Sequence, residues 1–142
     1  MPAMTATIRI TNLRLRTFIG FNDEERSKQQ DVVINIEIEH RADRAAFDDQ
    51  VSAALNYKTI TKAVIAHVES GRFLLLERLV NDVLEICTKE PAVLRARVTI
   101  DKPHALRFAD SVSVTLEDDK RQPFTMSENS NDYQRRPLSQ AS

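Results

Sequence analysis

Four residues of this 142-residue chain have types and settings suited to proton transfer or charge recognition: Glu25, Tyr57, Glu77 and Lys102. Glu25 lies in a polar stretch, NDEERSKQQ, beside Asp23, Glu24 and Arg26, which on pattern alone is a solvated acidic cluster. Tyr57 opens a helical pattern at ALNYKT, where an aromatic can also staple a helix to a sheet. Glu77 interrupts FLLLERLV at the border of an apolar stripe. An unpaired carboxylate is costly to bury, so Glu77 needs an ion-pair partner, Arg78 or a strand arginine in the ordinary case. Lys102 stands just past a strand, before Pro103, and shares its loop with His104 and Arg107 in a small basic group. His67 reads as a core-edge histidine and Cys87 as a small core hydrophobe. No one of these signals is specific; their joint placement is what counts.

Composition removes several chemistries. With only two glycines, Gly20 and Gly71, neither a GxGxxG turn nor a GxxxxGK[ST] phosphate cradle can be written. One cysteine and three scattered histidines (His40, His67, His104), with no CxxC, leave no zinc finger or knuckle and argue against a mononuclear metal enzyme. Twenty basic against twenty-one acidic residues give a net charge of −1, so neither nucleic acid nor an anionic membrane is an expected partner. An anionic ligand must therefore be caught locally. No apolar run approaches the ~20 residues of a membrane span, and Met1 to Ala6 lacks the regions of a signal peptide, so the expected address is the cytoplasm. At 142 residues and 42% hydrophobic the chain can bury a full core without disulfides or a structural metal.

The elements that must position these residues follow from periodicity. From Thr7 to Phe21 apolar residues alternate, but Ile8 and Ile10 fall on even numbers and Leu13 and Leu15 on odd ones, which predicts a bulge near Asn12. Asp31 to His40 is a half-buried strand with Val32, Ile34, Ile36 and Ile38 facing one way. Between them, residues 22–30 read as a surface loop, the kind of segment that often carries function. A polar connection over 41–50 has room for a short helical turn. The period then becomes helical from Tyr57 to Glu69, through Ile60, Val64 and Val68, with Asn56 as N-cap and Ser70-Gly71 as the end. A second stripe, Leu76, Leu79, Val80, Val83, Ile86 and Cys87, stops near Lys89 before Pro91. Leu94 to Asp101 and Ser111 to Glu117 alternate again as strands.

This order, strand, strand, helix, helix, strand, strand, predicts an α+β layer: four antiparallel strands with both helices on one face. Residues 1–119 read as a single domain, and residues 120–142, rich in Ser, Gln, Asn, Pro and charge, read as a disordered tail.

Taken together, LRLRTFIGFNDEE, ALNYKTITKAV, FLLLERL and VTIDKPHALRFADSVSV resemble the dihydroneopterin aldolase family over Ile8 to Leu116. Within it the similarity leans to the branch that inverts a side-chain carbon rather than cleaving the chain. LRLRTFIG replaces the YGYHG-like stretch usual in simple aldolases, and DKPHALRFADSV replaces their glycine-containing loop. The resemblance implies the tunnelling fold, whose subunits join edge to edge into barrels. It also implies self-association, a homo-octamer of two stacked tetramers, with sites between subunits. It makes Glu77 the carboxylate that anchors the pterin, with Leu76 and Asn56 beside it, Tyr57 and Lys102 the proton-handling pair, and Glu25 the acidic residue near the substrate side chain.

The implied chemistry is consistent with these side chains. A pterin edge offers two adjacent donors, which a carboxylate answers with two charge-assisted bonds. Retroaldol cleavage needs a proton taken from the 2'-hydroxyl, and the dihydropterin imine takes up the electrons, so no metal, Schiff base or cofactor is expected. If the aldehyde rotates before the bond re-forms, C2' of 7,8-dihydroneopterin triphosphate is inverted. If it escapes, the enzyme is an aldolase releasing glycolaldehyde and 6-hydroxymethyl-7,8-dihydropterin. A non-catalytic pterin- or purine-binding oligomer is the third possibility. A triphosphate requires local cations, for which Arg14, Arg16, Lys28, His104 and Arg107 are the candidates, and alternation puts Arg14 and Arg16 on one strand face.

Overall fold

The computed structural model describes residues 4–43 and 48–122. The sheet begins with β1 (Thr5–Ile19), whose alternation breaks where the sequence says it must. The register against β2 (Gln30–Arg41) shifts between Ile10 and Leu13. Asn12 takes a left-handed backbone (φ 55°), and its N–H donates to Asn35 Oδ1 at 2.9 Å. The bulge thus keeps Ile8 and Ile10 on the same side as Leu15 and Ile19. β2 is central, antiparallel to β1 and to β4 (Val93–Pro103), and β4 pairs antiparallel with β5 (Ser111–Asp119).

The sheet has five strands, not the four predicted. After α2 (Tyr57–Ser70) the chain runs as β3 (Arg72–Phe73), parallel to Phe18 and Ile19 at the margin of β1, giving the order β3-β1-β2-β4-β5. Two residues are too few to show a period-2 pattern, so β3 reads in the sequence as a linker. The sheet is consequently mixed rather than purely antiparallel.

A second correction concerns residues 22–30, read as loop: Asp23–Ser27 form a short helix, α1. It has no apolar face to betray it. Its origin is a capping box, in which Asn22 Oδ1 accepts from the Glu25 N–H at 2.8 Å while Glu25 Oε1 accepts from the Asn22 N–H at 3.4 Å. The Asn-x-x-Glu spacing at 22–25 was the available signal.

α2 and α3 (Leu76–Thr88) cover one face of the sheet, as expected. Ile60, Val64 and Val68 from α2, and Leu79, Val80, Val83 and Cys87 from α3, are buried against Val32, Ile34, Ile36, Ile38, Ala96, Val98 and Ile100. The opposite face is polar: Arg95 pairs with Glu37, Glu39 and Glu117, and Arg121 with Glu39 and Asp119. The outer margin of β5 and most of β1 carry no strand among the described residues. The expected turn in 41–50 and the tail beyond Gln122 lie largely outside those residues.

Direction fixes which residues share an end. β1 and β4 finish, and β2 starts, where Thr17 Oγ1 donates to the Gly71 carbonyl at 3.2 Å and the Gly20 N–H donates to the Phe73 carbonyl at 2.9 Å. α1, the C-terminus of α2 and the N-terminus of α3 therefore gather at one end of the sheet. Tyr57, at the start of the 14-residue α2, lies about 20 Å of helix away from it.

Candidate active site

Lys102 is the penultimate residue of β4, with its side chain on the helix-covered side, and its Nζ donates to Glu25 Oε2 at 2.5 Å. The two side chains are 14% and 21% exposed, enough shielding for the pair to hold against water. The Lys102 ammonium beside Glu25 keeps its carboxyl below the usual range, helped by the Asn22 and Phe21 backbone N–H groups and opposed by burial. The carboxylate rests on bare backbone: a Cβ on Gly20 would stand 2.2 Å from the Glu25 carboxyl, and Gly20 has φ +125°. Sequence reading missed this role of Gly20. The signal was present, since one of the chain's two glycines lies five residues before Glu25.

Glu77 occupies the first turn of α3 at the same end. The ordinary partner expected for it is absent: Arg78 Nε donates to Asp82 Oδ1 at 2.9 Å instead, and Glu77 is exposed with no ion pair to another described residue. Its carboxylate is free to receive donors, and the positive end of α3 favours its charge. Leu76 beside it is half-buried against the core.

Asn56 and Tyr57 are not brought to this cluster. Asn56 Oδ1 accepts from the Thr59 N–H at 3.1 Å, the predicted N-cap of α2, and Tyr57 is half exposed beside it, at the far end of the helix. Within one chain Tyr57 cannot meet Lys102.

Three of the predicted cations line one groove of about 680 Å³: Arg14, Arg16 and His104, with Gln29, Asp31 and Glu69. Arg16 is held by Asp31 at 2.7 Å and donates to the Gln29 carbonyl at 2.9 Å, whereas Arg14 has no ion pair among the described residues. The groove thus gathers two arginines and His104 with two carboxylates. Arg107 is elsewhere, in the exposed 104–110 loop with its guanidinium 5.2 Å from the Phe108 ring centroid, and Lys28 pairs with Glu24 at 3.9 Å.

The other singled-out residues are structural. His67 Nε2 lies 2.8 Å from Asp82 Oδ2, linking α2 to α3. Burial pushes the Cys87 thiol up to about 12, which removes it as a nucleophile.

The dihydroneopterin aldolase family model matches residues 8–117. The chain is 54% identical over 116 residues to dihydroneopterin triphosphate 2'-epimerase of Escherichia coli strain K12, covering 82% of this chain and 97% of that protein. It is equally 54% identical to the Pseudomonas aeruginosa protein of the same name, over 81% of this chain and 93% of that one. The crystal structure of Escherichia coli dihydroneopterin aldolase in complex with neopterin superposes with a TM-score of 0.75 at 33% identity, covering 80% of this chain and 98% of that chain. The matched span contains Glu25, Tyr57, Glu77 and Lys102 and every described element except the ends of β1 and β5, so fold, site and similarity coincide on the same residues: the chain belongs to the dihydroneopterin aldolase family.

Proposed function

We propose that the chain inverts C2' of 7,8-dihydroneopterin triphosphate to give 7,8-dihydromonapterin triphosphate, at a site two copies of the chain build together. The choice of epimerisation over cleavage rests on the 54% identity to the E. coli epimerase along 97% of its length, against 33% to the aldolase of the same organism. One structural observation carries the chemistry: an ammonium held to a carboxylate, Lys102 to Glu25, at the sheet end where Glu77 stands unpaired.

Glu77 takes the two donors of the pterin edge. A base removes the 2'-hydroxyl proton, the C1'–C2' bond breaks, and its electron pair moves into the conjugated imine of the ring. The fragment released is an aldehyde that still carries the triphosphate. Rotating it by half a turn and re-forming the bond, with the electron pair returning from the ring and the proton going back to the 2'-oxygen, inverts C2'. Lys102 and Tyr57 are the proton carriers in this reading, and Glu25 holds Lys102 in position beside the substrate side chain. Because Tyr57 is about 20 Å along α2 from the Lys102 end, it comes from a second copy. The open margins of β1 and β5 support ring closure by edge pairing, and the homo-octamer implied by the resemblance is the assembly we adopt. The triphosphate is held in the groove of Arg14, Arg16 and His104, and an aldehyde tethered there re-forms its bond rather than escaping. A cytoplasmic address agrees with the free thiol of Cys87.

Product analysis after incubation with phosphorylated and unphosphorylated dihydroneopterin tests the reading. Dihydromonapterin triphosphate without accumulating aldehyde is expected from the first. Aldehyde released in step with turnover from both, glycolaldehyde from the unphosphorylated compound and its triphosphate ester from the other, at equal kcat/KM, would replace the epimerase with the aldolase.

A further inference from the structure

α1 has five residues and none of them is buried, and a helix that short does not hold itself in water. Its capping box is internal. Among the described residues, side-chain hydrogen bonds tie it to the sheet at two points, the Glu25–Lys102 pair and Arg72. Arg72, on β3, lays its guanidinium 3.8 Å from the centroid of the Phe18 ring on β1 and donates from Nη1 to the Arg26 carbonyl at 3.1 Å. Arg26 directly follows Glu25. The guanidinium has no ion pair among the described residues, so a ring and a helix-end carbonyl, both of which favour a cation, are what hold it. Gly20 acts from the other side, because any side chain there would occupy the space of the Glu25 carboxylate.

We propose that Arg72 and Gly20 are positioning residues that seat the Glu25 carboxylate on Lys102, Arg72 by clamping the end of α1 to β1 and Gly20 by leaving the carboxylate room. The kinetic consequences rest on the proposed function; the placement does not. The charged groups at this end are Lys102 from β4, Arg72 from β3 and Glu77 from α3, with Asp23, Glu24 and Arg26 of α1 and Lys28 after it. Arg16 and Asp31 pair with each other on the opposite sheet face.

The test is a carboxyl-carbon NMR titration of Glu25 in the full chain, for wild type, Arg72→Ala, Arg72→Lys and Gly20→Ala. The Glu25 midpoint should rise toward the ordinary carboxylate value in Arg72→Ala and Gly20→Ala, and stay low in Arg72→Lys, whose ammonium still reaches a carbonyl. Gly20→Ala changes no charge, so its rise reports placement alone. If that variant does not fold, repeating the Arg72→Ala titration near 1 M salt decides, where the screening length falls to about 3 Å. A rise that vanishes there is a field effect and overturns the clamp, as does an unmoved midpoint in both variants. Where the midpoint moves, kcat/KM should fall about ten- to a hundred-fold, with its acid limb displaced upward and partial rescue in Arg72→Lys. A moved midpoint with unchanged turnover would leave the clamp standing and overturn the catalytic role of the pair.

Discussion

Lys102 and Glu25 are worth most to each other while both are charged, and that gives their contact a pH signature. Lys102 depresses the Glu25 carboxyl, so the stabilisation from the pair is complete above the ordinary glutamate value and is lost as pH falls through the lowered one. Lys102→Met should therefore destabilise the fold at neutral pH, by a margin that narrows toward acid in urea titrations. A margin that does not change with pH would mean that the methionine is merely badly packed. Catalytically the same substitution should cost about 10²- to 10⁴-fold in kcat, the range of a lost general acid or base. Glu77→Ala belongs to binding instead. It should raise KM by about ten- to a hundred-fold, from the ~1.5–3 kcal/mol of charged hydrogen bonds, equally for phosphorylated and unphosphorylated substrate. A kcat loss with KM unchanged would move Glu77 from anchoring into the chemistry. The groove cations have a third signature: KM for the triphosphate should rise with salt far more than KM for dihydroneopterin, and Arg14→Ala should erase the difference. Arg14 is the residue to change because Arg16 is already engaged by Asp31.

At the scale of elements, Asn56 separates capping from recognition. As the N-cap of α2 it should lose about 1 kcal/mol on Asn56→Ala, a fall in Tm of a few degrees for a domain of this size. A rise in KM beyond that loss would add substrate contact to its role, and an unchanged Tm would deny the cap. Elements with a long period were legible from sequence alone, because burial writes it into the chain: Val32, Ile34, Ile36 and Ile38 in β2, and Ile60, Val64 and Val68 in α2. Even the bulge at Asn12 left its mark as a change of parity between Ile10 and Leu13. β3 and α1 left none of that kind. Two residues of Arg72–Phe73 cannot display a period, and α1 is held by polar contacts whose partners, Lys102 and Arg72, are distant in sequence. Glu77 was recognisable as out of place, yet its freedom from Arg78 depended on Asp82 taking that arginine, a choice only the helix surface reveals. Arg107 was grouped with His104 by proximity in sequence, and the 104–110 loop carries it away from the groove.

For the whole molecule the decisive feature is that the parts of the proposed site lie at opposite ends of one chain. Glu25, Lys102 and Glu77 stand where β4 finishes, and Tyr57 stands where α2 begins, separated by the length of that helix. A sheet with open margins offers a way to join copies of the chain, and a site drawn from two of them is what the proposed function requires. The most direct test mixes two variants that are each inactive, Tyr57→Phe and Lys102→Ala, dissociates and reassembles them together, and assays epimerisation of dihydroneopterin triphosphate. If each site draws Lys102 from one copy and Tyr57 from another, random reassembly returns about a quarter of wild-type activity. A mixture that stays inactive, although both variants fold and assemble with each other, would contradict the shared site.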